Sequence, residues 1–395
     1  MRTRDKVQLV GVIQSAWWFL LFLFLLGDHL EFAAAGICSE LISPLGYPCE
    51  EHQVTTTDGY ILGVQRISAG IQGSTLQHAL PVFLQHGVLA GGEHWVLNSP
   101  NESLAFILAD SGFDVWIGSL RGTQWSQGHV SLTLNSTSYW NWTWDEHLNY
   151  DLPAMLKFVR DTTGSPVKYV GHSQGTIIFL AGLTQSSVTQ YVDKAALLAP
   201  IAYLDHMTSI VGNALARLFL DQALLHVGIR EFNTSSGVGK ELIDLYCGLI
   251  PSDCSDLLTA FTGPNCCINS TRLPFYQQYE PQPTSTKNIA HLSQMVRTGH
   301  FRKYDYGLFG NLEHYGQPIP PAYSLSNIPA SFPLMLAYGG IDALADVNDV
   351  KHLIDDLPNP YVLQYLPNYG HLDYTIGKSA NRDVYQPMIQ FLKGN

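Results

Sequence analysis

An α/β fold with a mostly parallel sheet, helices on both faces and one large helical insertion is the class this sequence predicts. Three observations carry that expectation. Short apolar runs alternate with helix-length amphipathic stretches in two parts of the chain, the pattern of strands covered on both sides. Residues 166–180, PVKYVGHSQGTIIFL, read as a buried strand, a sharp turn with a serine at its apex, and a helix. Between about Tyr203 and Asn327 the alternation stops, with no clear buried strand, and it resumes at Phe332.

Composition bounds the rest. Of 395 residues, 46% are hydrophobic and 14% charged, which suits a large core and argues against disorder. A formal charge of −12 without any Lys/Arg run argues against nucleic acid as a partner. Arg2, Arg4 and Lys6 precede the apolar stretch Ala16–Leu26, and Ala33-Ala34-Ala35 offers small residues before Gly36. Residues 1–35 therefore read as a secretory signal peptide. The alternative is a membrane anchor, but the uninterrupted run is about half the ~20 residues a spanning helix needs. No membrane span is expected in the mature chain.

Five Asn-x-Ser/Thr sequons, at Asn101, Asn135, Asn141, Asn233 and Asn269, are candidate glycosylation sites. The chain closes on Leu392-Lys393-Gly394-Asn395, with no ER-retention signal. The expected address is extracellular, or the lysosome or vacuole reached through the secretory pathway. Cys38, Cys49, Cys247, Cys254, Cys266 and Cys267 are even in number and read as disulfides. Their spacing points to a Cys38–Cys49 bridge and to further pairing within 247–267. With no C-x-x-C, no H-E-x-x-H and no tight His/Asp cluster, no metal and no cofactor are expected.

In chain order, Val54–Thr57 and Tyr60–Val64 flank Asp58-Gly59 as a hairpin. A loop from Ser68 to Ala79 leads to Pro81–Leu84, a buried strand that ends in Gln85-His86-Gly87-Val88. Ser103–Asp110 reads as a helix, Phe113–Ile117 as a strand and residues 118–128 as a loop. Tyr150–Arg160 is a helix whose Asp151 and Pro153 suit a first turn. After the serine turn comes a buried strand, Ala195–Pro200. Past the break, Phe332–Tyr338 and Tyr361–Leu366 read as strands, and Val347–Asp356 and Pro387–Lys393 as helices. One core, 36–204 with 327–395, is thus interrupted by residues 205–326. Strands of such a sheet deliver their C-terminal loops to one edge, so the insertion is expected over the serine as a cap or lid. The alternative is a separate helical domain on another face.

The serine needs partners. Gly171 and Gly175 flank Ser173 where a sharp turn tolerates no bulky Cβ, and the following helix N-terminus favours an anion. A serine becomes a nucleophile when a base takes its proton, and the base needs an orienting carboxylate. One late strand runs into Gly339-Gly340-Ile341-Asp342 and the next into Asn368-Tyr369-Gly370-His371. Asp342 and His371 each follow a strand's C-terminal end, on the edge that carries Ser173, in the order Ser, Asp, His. Asp346, Asp349 and Asp355 lie on or beside the following helix, with Asp346 the runner-up acid. Of fifteen histidines, His371 alone follows a late strand at a glycine-containing turn. The oxyanion donors expected are the N–H groups of Gln174, after the nucleophile, and Val88, on the loop after an early strand. His86 precedes Ser173 in the chain and is expected to brace that loop.

These residues sit in longer stretches: GYPCEEHQVTTTDGYIL, VFLQHGVLA, SLAFILADSGFDVWIG, YDLPAML, YVGHSQGT, YGGIDALADVNDV and NYGHLDY. On them, from about Gly46 to the C-terminus, the chain resembles the gastric and lysosomal acid lipase family, in its plant branch. The resemblance implies an α/β-hydrolase fold with Ser173 as nucleophile, Asp342 as acid, His371 as base, and Val88 and Gln174 as oxyanion donors. It implies a cap and lid at roughly Asp205–Ser326, and hydrolysis of neutral lipid esters, often at acidic pH, with no metal. Three features depart from the animal members: Gly91-Gly92-Glu93-His94, Ile341, and vicinal Cys266-Cys267. The expected protein is a secreted serine ester hydrolase whose partner is a lipid ester, met at a lipid–water interface. A sterol esterase, phospholipase or acyltransferase would use the same machinery. A non-catalytic binding protein of this fold would usually lack part of the triad.

Overall fold

The order of strands in one sheet decides where loops meet. The computed structural model describes residues 36–73, 79–234, 257–358 and 361–394. The expected leader, 1–35, lies outside them. A hairpin of β1 (Glu50–Thr55) and β2 (Tyr60–Ile67) turns at Asp58-Gly59 and opens the sheet. Then follow β3 (Leu80–Gln85), β4 (Phe113–Gly118), the short β5 (Gly128–His129), β6 (Val167–His172), β7 (Val192–Leu198), β10 (Leu334–Gly339) and β11 (Val362–Leu366). They are ordered β1-β2-β4-β3-β6-β7-β10-β11, with β5 pairing β2. From β4 to β11 every pairing is parallel. Every residue of β4 and β6 is buried, as strands covered on both faces must be. At the far edge, β11 exposes Val362, Leu363 and Tyr365.

The chain leaves β3 for β4 on one side and then returns to β6 on the other. That reversal makes β3 and β6 the switch point, where loops at the strands' C-terminal ends diverge and leave a crevice. Around the sheet lie α1 (Leu104–Asp110), α2 (Leu152–Thr163) and α3 (Gln174–Thr184). Residues Gln174–Leu183 of α3 are buried without interruption, so this helix is apolar all round, as a central helix is.

Between β7 and β10 the chain forms α4 (Ile210–Arg217), α5 (Leu220–His226), α6 (Leu257–Thr262), α7 (Thr286–Thr298) and α8 (Gly307–Tyr315). Helix α9 (Val347–Asp356) lies between β10 and β11, and α10 (Gln386–Lys393) follows β11. The sequence shows no strand in that middle stretch, yet β8 (Glu231–Phe232) pairs antiparallel with β9 (Thr284–Ser285). Two residues are too few for a periodicity to register. Val211, Leu215, Leu224, Phe232, Ala260 and Ile289 form a cluster of their own, and Val88 and Leu89 of the β3 loop pack against it.

Asp151 and Pro153 open α2, as their place in the sequence suggests. Asp151 sits at the N-cap position and makes no side-chain capping bond. Its carboxylate instead accepts from Arg121 Nε at 2.8 Å and Nη2 at 2.6 Å, while Arg121 also reaches Asp58 at 2.7 and 3.0 Å. The guanidinium stacks 3.8 Å from the Tyr60 ring centroid. Asp151 and Arg121 are both buried, so removing one partner strands the other charge in a dry interior. Arg121→Leu is expected to cost about 3–5 kcal/mol in urea unfolding. A cost under about 1 kcal/mol would mean the network adds nothing.

Cys38 and Cys49 are joined by a disulfide, as their spacing predicts. Cys266 pairs with its neighbour Cys267, and Cys247 and Cys254 lie outside the described residues. Among the described residues no helix is long and apolar enough to cross a membrane.

Candidate active site

Ser173 lies at the end of β6 with φ 53° and ψ −121°, a left-handed backbone that a non-glycine residue rarely adopts. Its neighbours make room for the turn. A Cβ on Gly175 would meet the Gln85 carbonyl oxygen at 2.6 Å, and one on Gly87 would meet Ser173 Cβ at 2.8 Å. The glycines therefore record how closely the β3 loop crosses the serine turn. The Ser173 carbonyl anchors the turn by accepting from Thr176 N at 2.8 Å and Thr176 Oγ1 at 2.6 Å, which leaves Oγ uninvolved.

Asp342 and His371 arrive from the loops after β10 and β11. His371 Nδ1 lies 3.0 Å from both Asp342 oxygens. Asp342 Oδ1 also accepts from Leu344 N at 2.9 Å and Ala345 N at 2.8 Å, so its own loop holds it in place. With Nδ1–H donated to the carboxylate, Nε2 is the nitrogen left to accept a proton. The His371 carbonyl accepts from His172 Nε2 at 2.9 Å, which ties the histidine loop to the residue preceding Ser173. Burial pushes His172 well below the usual histidine pKa, followed by His371 and His94, so it donates as a neutral ring. No hydrogen bond joins Ser173 Oγ to His371 among those the described residues form. Such contacts often tighten only when substrate arrives.

Gln174 N–H is the first amide of α3 and has no intrahelical partner, at a helix end that favours negative charge. Val88 lies on the loop that crosses Ser173, one residue beyond Gly87. His86 accepts from Leu120 N through Nε2 at 3.0 Å and so donates through Nδ1 to the Gly87 carbonyl at 2.8 Å. It braces the loop rather than entering the triad order. The runner-up acid is occupied elsewhere: Asp346 caps α9 by accepting from Asn348 N at 2.8 Å. Asp205, His206 and Asp349 come together as the sequence gives no hint they would, but His206 pairs with Asp349 at 2.8 Å and Asp205 at 3.5 Å.

Several groups near the site carry no sequence signal. Gln174 Oε1 accepts from Asn288 Nδ2 of α7 at 2.9 Å, and Gln174 Nε2 donates to His147 Nδ1 at 3.1 Å. Asp373, fully buried two residues past His371, accepts from Gly370, Cys266 and Cys267 amides at 2.7–2.9 Å. The middle segment is thereby latched to the histidine turn.

Comparison with known proteins places the fold and the family. Residues 38–99 match the family model "Partial alpha/beta-hydrolase lipase region", and residues 81–238 match "alpha/beta hydrolase fold". Triacylglycerol lipase 1 of Arabidopsis thaliana is 46% identical over 98% of this chain and 98% of its own. This chain belongs to the acid lipase family. Within that family, the human gastric triacylglycerol lipase is 37% identical over 90% of both chains. At the level of fold alone, a soluble variant of monoglyceride lipase from Saccharomyces cerevisiae superposes with a TM-score of 0.56 at 15% identity, covering 91% of this chain and 97% of its own. As an acid lipase, the protein is a carboxylic ester hydrolase.

Proposed function

We propose that this acid lipase is a secreted enzyme that cleaves acylglycerol esters to free fatty acids through Ser173, His371 and Asp342. The observation that carries the proposal is His371 Nδ1 set 3.0 Å from both Asp342 oxygens, on the sheet edge where Ser173 caps the β6 turn. His371 Nε2 takes the Ser173 proton as Oγ attacks the ester carbonyl, and Asp342 stabilises the imidazolium that forms. The Val88 and Gln174 amides receive the oxyanion. The imidazolium protonates the departing glycerol oxygen and leaves an acyl-enzyme. Water, deprotonated by the same nitrogen, releases the fatty acid.

Residues 205–326 act as the cap. Support for a lipid beneath it comes from the apolar cluster of Val211, Leu215, Leu224, Phe232, Ala260 and Ile289 over Val88 and Leu89. Leu218, Phe219 and Val227, on and beside α4 and α5, are exposed and suit contact with a lipid–water interface. Secretion rests on the leader-like N-terminus and on the sequons. Asn101, Asn135 and Asn141 are exposed and Asn233 and Asn269 partly so, as glycan acceptors must be.

Emulsified tri-, di- and monoacylglycerols, a sterol ester, a phospholipid and a short soluble ester separate the candidate activities. Acylglycerols are expected to give the highest kcat/KM. Faster turnover of the sterol ester or the phospholipid would replace the substrate class and keep the mechanism.

A further inference from the structure

The stretch Gly91-Gly92-Glu93-His94, after the loop that carries Val88, contains a buried acid that the reaction does not use. Glu93 is fully buried. Two donors converge on it: Trp125 Nε1 reaches Oε2 at 2.5 Å and Gln282 Nε2 reaches Oε1 at 2.7 Å. Glu93 folds back so tightly that a Cβ on Gly91 would lie 2.2 Å from Oε2. Gln282, itself 2% exposed, accepts from Gln124 N at 2.9 Å through its side chain and donates from its backbone N–H to the Leu89 carbonyl at 2.8 Å. Leu89 has φ 60°, a left-handed conformation costly for a leucine. It is the residue after Val88.

We infer that Glu93 and Gln282 are positioning residues for the oxyanion loop, a strut from the middle segment that holds Leu89, and so the Val88 amide, in place. The inference rests on the assignment of Val88 as an oxyanion donor. A strained residue persists only where its surroundings over-determine it, and here the restraint is the Gln282–Leu89 bond, with Glu93 fixing the Gln282 side chain. Relaxation of Leu89 towards negative φ would swing the preceding peptides and turn the Val88 N–H away from the oxyanion. A carboxyl group fits, because each of its oxygens can accept from the donor that faces it. A glutamine at 93 would set its own NH2 against Trp125 or Gln282. Burial, and then the neighbouring Glu280 carboxylate, push the Glu93 pKa up to about 8, against the lowering pull of the Trp125 and Gln282 donors. Glu280 is engaged by His94 Nδ1 at 2.6 Å.

Exchange of the two residues tests the strut. Glu93→Gln leaves a donor facing a donor. The double variant E93Q/Q282E restores acceptors for Trp125 and Gln124 and a donor between 93 and 282, but sets a carboxylate oxygen against the Tyr279 carbonyl that Gln282 Nε2 serves in the wild type. On a short soluble ester, Glu93→Gln is expected to lower kcat by about tenfold or more with KM within about twofold, short of the roughly 100–1000-fold of a fully lost oxyanion donor. Its rate of inactivation by a fluorophosphonate should fall in step, and the double variant should recover part of both. If Glu93→Gln does not fold, Gln282→Ala carries the same expectation. A folded Glu93→Gln or Gln282→Ala variant with wild-type kcat and inactivation rate would overturn the inference. Wild-type enzyme that is not modified at Ser173 would overturn the site assignment itself, a result separable from either.

Discussion

Ser173→Ala removes ester turnover, with kcat falling by about a million-fold as for other triad serines. The hydroxyl is the one atom lost. Cβ stays, and the turn is held by bonds to the Ser173 carbonyl and by the Ser173 N–H on the Leu198 carbonyl at 3.1 Å, none of which involves Oγ. Folding and thermal midpoint should therefore match wild type within about 0.5 kcal/mol, the usual range for a change that breaks no packing or hydrogen bond. Hydrolysis of an emulsified acylglycerol beside a thermal melt checks both halves. Retention of even a tenth of wild-type turnover by a pure, folded variant would remove Ser173 from the chemistry.

Asp342→Asn is expected to cost about 10⁴-fold in kcat through the wrong histidine tautomer. An asparagine can keep Oδ1 on the Leu344 and Ala345 amides, so the loop remains. Its NH2 cannot accept from His371 Nδ1. The ring then accepts at Nδ1 and carries its proton on Nε2, where the serine proton has to go. Since geometry is preserved and protonation is not, KM should hold while kcat collapses. A tenfold effect or less would point to an orienting role for some other group, with the nearby Asp373 carboxylate the first to examine.

The sheet was legible because buried strands and their helices leave a periodic imprint. Val347–Asp356 is a helix over the same residues that sequence pattern marks, and β3, β4, β6, β7 and β10 fall where apolar runs do. The triad candidates were legible for a related reason: each stands just past a strand, so chain order and strand position locate it without any contact being known. Polar partners assembled across the chain leave no such imprint. Asn288 meets Gln174 from 114 residues away, and Gln282 meets Glu93 from 189. A single Asn or Glu in a sequence looks the same whether solvated or buried. Asp151 is a case in point: its place at a helix start was legible, but not that Arg121 arrives from the loop after β4 and takes its carboxylate. The short β8–β9 pair was hidden by its length.

The most direct measurement is covalent labelling with a fluorophosphonate lipid analogue, followed by mass-spectrometric mapping of the adduct. The account predicts one adduct, on Ser173, formed at a rate that drops sharply in Asp342→Asn and not formed in Ser173→Ala. An adduct on any other residue, or equal labelling of the Ser173→Ala protein, would contradict it.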